Sequence, residues 1–344
     1  MKKIYVTVDV ECHDIDLENN YIWGKVGEEE FGLRRILEKG KEHNIPINFF
    51  FDMCEANRYG KKYAENIISA IQEYNQPIYL HLHPNYISGD DARSFLWQYN
   101  SQEQYDILQK GFAQYNEIMQ TDQCKAFRVG RYGASAEMYR ALSDLNISVI
   151  DLSYSYDNPH MCHLYYDEAR TINRPVQYKG QTLLPNTRFV CFDYFGKKKS
   201  INTDLHEVGF RELKEILNKE IPDHLVFTMH SWHFINRYFY KNGISGDKKQ
   251  LKKFDKIINY CKRKGFVFAD VGKTDFSSCL QQSDEKEKEI NNCKSLPEKI
   301  KSLFYNFFRF QEMGKINKKY FLIFAMFYLI VAAGLLGIAL GILL

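Results

Sequence analysis

Two pairs of side chains with metal-binding and acid–base chemistry stand at the ends of short apolar runs. Asp9 and Glu11 end the first run, and His81 and His83 end another one near residue 80. In each pair the residues are two apart, so an extended backbone places both side chains on one face of a strand. Such a pattern is typical of a site built where strands end.

Three later apolar runs end in the same way, at Arg128, at Asp151 and at His230, with His233 three residues further on. Burying such groups without partners costs several kcal/mol each. Their repeated occurrence at strand ends therefore indicates a shared site.

The chemistry that these groups support is metal-assisted hydrolysis. Two neutral imidazoles and one carboxylate hold a divalent ion and leave positions open for water. The ion lowers the pKa of bound water and polarises a carbonyl group. A second carboxylate can then accept the water's proton, and a further histidine can protonate the leaving group.

The elements that position these groups alternate between apolar runs and amphipathic stretches, which predicts parallel βαβ units. Predicted strands cover 3–10, 47–51, 78–82, 125–128, 148–152, 225–229 and 266–269, and predicted helices cover 29–43, 61–74, 102–119, 136–145, 210–219 and 248–264. About seven units favour an α/β fold of the distorted (β/α)7 barrel type over residues 1–275. Residues 153–205 break the rhythm and are predicted to form an inserted region.

Composition excludes several classes of protein. The 344 residues are 45% hydrophobic and 26% charged, which is ordinary for a globular chain. A net charge of +3 argues against a dedicated nucleic-acid binder. The eight cysteines are scattered without a CxxC pair, which favours free thiols in a reducing compartment.

The last 25 residues, 320–344, carry no charge and predict a single transmembrane helix, about 37 Å long. Seven Lys and Arg lie between Lys294 and Lys319, which predicts a cytoplasmic catalytic domain held by a C-terminal anchor. The N-terminus has no pattern of a secretory signal. Residues 276–319 are predicted to be a charged linker and juxtamembrane segment. Within them, 300–310 fits either a lipid headgroup interface or a short packed helix.

Five motifs in order carry a resemblance to a known family: TVDVE, IPINFFF, HLHP, FRVGRYG and MHSWHF. Together they resemble the polysaccharide deacetylases, the NodB-homology carbohydrate esterases, over residues 3–272. The short HxHP form resembles a divergent branch of that family. The resemblance implies a distorted barrel and metal-dependent removal of N- or O-acetyl groups from sugars.

The resemblance also implies roles for individual residues. Asp9 matches the catalytic base, Arg128 the arginine that orients it, and His230 the catalytic acid, with Asp151 as its expected partner. The expected metal ligands are Glu11, His81 and His83. A divalent metal is therefore expected, with Zn²⁺ first and Mn²⁺, Co²⁺ or Ni²⁺ as alternatives. The expected partners are an acetylated sugar or glycan and a membrane; nucleic acid is not expected, and no oligomeric state is predicted.

Two positions depart from the family pattern. Position 10 is Val where the family has a second Asp, and Asn85 stands where it has a second metal histidine, so Asn85 is a candidate substitute ligand. Trp97, Tyr132 and Trp232 are candidates for stacking on a sugar or for plain packing.

Two other functions stay open from the sequence. The departures allow a catalytically inactive glycan-binding or scaffold protein on the same fold. Another metal-dependent hydrolase on a barrel, such as an amidohydrolase, is a further alternative, although those enzymes usually carry an HxH pair on the first strand.

Overall fold

A largely parallel β-sheet organises the chain. The computed structural model describes residues 2–164, 173–194, 197–219, 223–236, 243–277, 289–312 and 333–334. The strands are β1 (Lys3–Val10), β2 (Lys25–Val26), β3 (Glu29–Glu30), β4 (Asn48–Asp52), β5 (Ile78–Leu82), β6 (Ala126–Val129), β7 (Ile150–Asp151), β8 (Val176–Tyr178), β9 (Gln181–Leu183), β10 (Arg188–Tyr194), β11 (Lys197–Asn202), β12 (His224–His230), β13 (Ile235–Asn236), β14 (Ser245–Gly246) and β15 (Val267–Phe268).

The helices alternate with the strands along most of the chain. They are α1 (Leu33–His43), α2 (Ala56–Tyr59), α3 (Lys61–Glu73), α4 (Asn85–Ser88), α5 (Ser101–Met119), α6 (Ala136–Asp144), α7 (Phe210–Leu217), α8 (Lys248–Arg263) and α9 (Leu296–Glu312). Most predicted elements lie within a few residues of the observed ones. The predicted helix 29–43 begins only at Leu33, because β3, Phe31 and Gly32 occupy its first four positions.

The main sheet has the strand order β12-β1-β4-β5-β6-β7-β9-β8, with β15 also paired to β1. The pairs from β12 through β9 are parallel, and β8 pairs antiparallel to β9. The predicted α/β class with a parallel sheet is confirmed.

The predicted barrel is not closed by hydrogen bonds between strands, since no described strand pairs β12 with β8 or β9. Instead, irregular chain lies beside β12. The amide of Val226 donates to Thr187 Oγ1 (2.9 Å), and Thr228 exchanges backbone hydrogen bonds with Thr203 and Leu205. Residues 184–187 and 203–205 follow no regular strand pattern, which is why their position beside β12 was not predicted from the sequence.

Two apolar clusters lie on opposite faces of the strands. The larger one includes Val8, Val10 and Leu82, packed against the helices. The smaller one includes Tyr5 and Phe50 on the inner face. Alternation along the strands therefore separates a helix-covered outer face from an inner face.

The inner face changes character along each strand. On β1 it runs from Tyr5 through Thr7 to Asp9, with Glu11 directly beyond the strand. On β5 it runs from Tyr79 to His81. The inner face is thus apolar at the amino ends of the strands and polar at their carboxyl ends, which is where parallel α/β sheets place function.

Helix α9 packs on the body of the protein. Its Arg309 pairs with Glu212 of α7 at 2.6 Å, and both side chains are buried. The side chain of Asn306 donates to the carbonyl of Cys191 on β10 at 2.7 Å. Residues 296–312 therefore form a packed helix, one of the two forms that the sequence left open.

No described residues form a helix that is both long enough and apolar enough to cross a membrane. The predicted span 320–344 lies outside the described residues except for positions 333 and 334. The seven described cysteines are buried and free.

The ion pair between Arg309 and Glu212 yields a test of the α9 contact. Replacing Arg309 by Met leaves the Glu212 carboxylate buried without its partner, and we expect the free energy of unfolding to fall by about 3 kcal/mol. Equilibrium urea denaturation of the full chain measures this change. The matched control is Lys301→Met, which removes an exposed pair with Glu215 and should lower the free energy by less than about 1 kcal/mol. Equal losses in the two variants would contradict a buried α9 contact.

Candidate metal centre

Strand register brings the predicted site residues to one level of the inner face. Asp9 on β1 is opposite His230 on β12. His81 on β5 is opposite Asp52 on β4 and Arg128 on β6. Groups that are up to 221 residues apart in sequence therefore meet, because five parallel strands end together.

The Asp9 carboxylate is held by Arg128, whose side chain is fully buried. One guanidinium nitrogen lies 2.5 Å from Asp9 Oδ1, and the other donates to Thr7 Oγ1 at 3.0 Å. The guanidinium carbon also lies 4.6 Å from the centre of the Phe50 ring. This fork fixes one oxygen of Asp9 and leaves Oδ2 outside the ion pair.

The side chains of Glu11, His81 and His83 form a group that could hold a metal ion, with one ligand atom of each within 4.8 Å of the others. Glu11 Oε2 lies 2.6 Å from Nε2 of His83 and 3.4 Å from Nε2 of His81. All three residues are buried. Two imidazoles and a carboxylate are a ligand set typical of Zn²⁺ and similar ions.

Neighbouring groups set the orientation of both imidazoles. Nδ1 of His81 donates to the backbone carbonyl of Arg128 at 2.9 Å. Because a carbonyl can only accept, the neutral His81 ring keeps its lone pair on Nε2, which faces Glu11. The backbone N–H of His83 donates to Asp52 Oδ2 at 2.9 Å. Such outer contacts are characteristic of metal ligands.

Two buried atoms of this group form no hydrogen bond with each other, and both are suited to binding a metal ion. Despite their short separation, Glu11 Oε2 and His83 Nε2 have no hydrogen-bond partner among the described residues. A bound cation would satisfy both atoms. The residues present therefore fit a divalent metal, and Glu11, His81 and His83 would hold it.

Gly130 makes room for the His83 ring. A Cβ atom at position 130 would lie 2.6 Å from three atoms of that ring. The two residues that follow, Arg131 and Tyr132, both have φ near +55°. Non-glycine residues adopt such angles rarely, and strained backbone of this kind is concentrated at functional sites.

The electrostatics of the group favour positive charge between the side chains. Burial raises the pKa of Glu11, but the facing imidazoles of His83 and His81 outweigh this and hold that pKa well below its usual value. Burial lowers the pKa of His81, but Asp9 and Glu11 more than offset this and raise it.

His230 stands at the edge of the group. Its Nε2 lies 3.8 Å from Glu11 Oε1, and its Nδ1 lies 3.3 Å from His233 Nε2. The ring stacks on Trp232 with a centroid distance of 4.5 Å. Although 29% of the side chain is exposed, burial lowers its pKa. His230 is therefore the predicted site residue that solvent and a ligand reach most easily.

The hydrogen bonds of Asp151 go to residues other than His230, its expected partner. Asp151 is fully buried, and its two oxygens accept hydrogen bonds from Tyr139 (2.7 Å) and Ser153 (2.5 Å). Burial raises its pKa to about 6. Besides Glu11, Asp204 lies near His230, and sequence reasoning missed Asp204 because it lies in an irregular segment.

The other candidates take up different positions. Trp232 lies in the site, whereas Trp97 stacks on His163 and Phe95. The side-chain amide of Asn85 donates to Asp91 at 3.0 Å. This contact is with a carboxylate outside the group.

The chain is similar to several solved structures. No family model and no curated protein matches it. A protein assigned as a polysaccharide deacetylase from Mycobacterium smegmatis is 14% identical, with a TM-score of 0.49, over 83% of this chain and 92% of the other. The Bc1960 peptidoglycan N-acetylglucosamine deacetylase is 17% identical, with a TM-score of 0.41, over 83% and 90%.

A family 4 carbohydrate esterase from Streptomyces lividans is 10% identical, with a TM-score of 0.40, over 78% of this chain and 92% of the other. Structural similarity to the polysaccharide deacetylases is therefore present but distant. The HxHP branch stays a prediction.

The space beside Gly130 can be tested by substitution. In Gly130→Ala the added methyl group collides with the His83 ring. We expect metal affinity to fall at least about tenfold, as it does when a residue that hydrogen-bonds to a metal ligand is removed. Isothermal titration of the metal-free chain with Zn²⁺ measures it. The control is Gly209→Ala, where a Cβ meets nothing within 4 Å. Unchanged affinity in Gly130→Ala would show that His83 is not a ligand.

Proposed function

We propose that this protein is a metal-dependent hydrolase that removes N- or O-acetyl groups from a sugar or glycan. The observation that carries the proposal is the position of Asp9. Its carboxylate is oriented by Arg128 beside the Glu11, His81 and His83 group, and His230 faces the group from the neighbouring strand.

A divalent ion on Glu11, His81 and His83 would polarise the acetyl carbonyl and lower the pKa of an attacking water. Zn²⁺ is the ion we propose first, because two imidazoles and one carboxylate suit it.

Asp9 supplies the general base in this proposal. Arg128 holds Oδ1 and thereby fixes the plane of the carboxylate, while Oδ2 is outside that pair. Water gives its proton to Asp9 as its oxygen bonds to the acetyl carbon. General bases need this fixed orientation, because proton transfer requires contact within hydrogen-bond distance.

His230 supplies the general acid. When the bond between the acetyl carbon and the sugar nitrogen or oxygen breaks, the imidazolium form of His230 gives its Nε2 proton to the departing atom and becomes a neutral imidazole. The products are acetate and a free amine or hydroxyl. The partial exposure of His230 supports this role, because the leaving group is part of a large substrate that must reach the ring from outside.

The partly exposed ring of His230, which is backed by the buried Trp232, is suited to contact with a sugar ring. We extend the proposal to a lipid-linked glycan at the cytoplasmic face of a membrane. This extension is supported by the uncharged 320–344 segment and the basic residues before it.

The role of Asp9 is tested by Asp9→Asn, which keeps the shape of the side chain and removes the base. We expect acetate release from N-acetylated and O-acetylated oligosaccharides to fall about 10³-fold, with metal content unchanged. The control is Asp16→Asn, an exposed aspartate in the following loop, which should keep full activity. Full acetate release by Asp9→Asn would refute the mechanism.

The metal is tested by the double variant His81→Ala/His83→Ala. We expect it to lose about one tightly bound metal ion per chain, as measured by elemental analysis of the full chain. His160→Ala, at an exposed histidine outside the site, should lose none. If the unmodified chain holds no metal after loading with Zn²⁺, Mn²⁺, Co²⁺ and Ni²⁺, the inactive glycan-binding alternative is favoured.

A further inference from the structure

We propose that Asp204, His230 and His233 form a second divalent-cation site beside the first one. One ligand atom of each lies within 4.8 Å of the others. Asp204 and His233 are buried, and His230 is partly exposed. The donor set of two imidazoles and one carboxylate repeats that of the Glu11, His81 and His83 group and suits the same ions.

Backbone hydrogen bonds fix the three residues relative to one another. Asp204 lies in the segment that borders β12, where Thr228 donates to the Thr203 carbonyl (3.0 Å) and accepts from the Leu205 amide (3.1 Å). His230 ends β12, and the amide of His233 donates to the His230 carbonyl at 3.1 Å. The site is therefore built on the sheet and on the turn that continues it.

The Asp204 carboxylate has capacity for a ligand. Oδ1 accepts from the backbone amides of His206 (2.8 Å) and Glu207 (3.3 Å), whereas the contact of Oδ2 with Thr228 Oγ1 is long, at 3.5 Å. The positive charge of Lys253 stabilises this buried carboxylate, and the negative charge of Glu207 opposes that effect. A cation bound directly at the carboxylate would stabilise it further.

The two imidazoles present ring nitrogens to each other. Nδ1 of His230 and Nε2 of His233 are 3.3 Å apart, with the rings tilted by 49°. Two such nitrogens either share one proton or bind one cation. The carboxylate within 4.8 Å favours the cation, because it adds a third ligand of opposite charge.

His230 would connect the two sites. Its Nδ1 belongs to the second site, and its Nε2 faces Glu11 of the first site at 3.8 Å. A cation on Nδ1 would take the place of the Nδ1 proton of the imidazolium and would keep the other ring proton on Nε2, directed at the first site. This consequence rests on the proposed function, in which Nε2 is the acid, whereas the site itself does not.

The test is a count of metal ions in the full chain, purified without a histidine tag, stripped with chelator, loaded with Zn²⁺ and dialysed. We expect about two ions in the unmodified chain, and about one in either Asp204→Asn or His233→Ala. Asn can still accept the backbone amides at position 204, so this variant keeps the turn. His81→Ala/His83→Ala should retain about one ion, and the His160→Ala control about two.

Either of two results would overturn the second site. One is a single ion that is lost in His81→Ala/His83→Ala and kept in Asp204→Asn. The other is a pair of ions that neither Asp204→Asn nor His233→Ala reduces. Circular dichroism of each variant shows whether it is folded. Because metal is counted without a substrate, absence of acetate release would refute the proposed function and leave this site standing.

Discussion

The buried ion pair of Arg128 and Asp9 is the interaction on which the inner face depends. A guanidinium with no solvent exposure is tolerated only beside a well-placed carboxylate and further acceptors. Asp9 and Thr7 supply these from β1, and the Arg128 carbonyl in turn accepts from His81 on β5. Strands β1, β5 and β6 are thereby linked through side chains as well as through the sheet, and the His81 ring is fixed by the same residue that fixes the base.

Two further carboxyls stabilise the chain around this pair. Asp52 accepts from the backbone of His83, and Glu55 accepts from the backbone of Cys12 at 2.6 Å, so they hold the segments that leave β5 and β1. Burial raises the pKa of Asp52 to about 7 and that of Glu55 well above its usual value. The facing imidazoles lower the pKa of Glu11 instead. All three carboxyls are buried, so it is the two facing imidazoles that distinguish Glu11 from the carboxyls that support the backbone.

The positions of the site residues can be predicted from the sequence where they follow regular strands, but not where they lie in irregular segments. The apolar runs locate the strand ends, so the positions of Asp9, Glu11, His81, His83 and His230 on one face could be predicted from alternation alone. The approach of Asp204 to His230 could not be predicted, because it depends on a long-range contact between irregular chain at 203–205 and β12. Asp151 has the expected strand-end position, yet Tyr139 and Ser153, which are local neighbours, take up its oxygens.

The departure at position 10 is explained by the same alternation. Val10 is fully buried in the outer cluster against the helices, so a carboxylate there would face away from the site. Glu11, one residue later, returns to the inner face with a longer side chain that reaches both imidazoles. The His81-Leu82-His83 run has the same form, with Leu82 in the outer cluster. The runs on β1 and β5, which lie on either side of β4, thus each direct alternate polar residues inward and matched apolar residues outward.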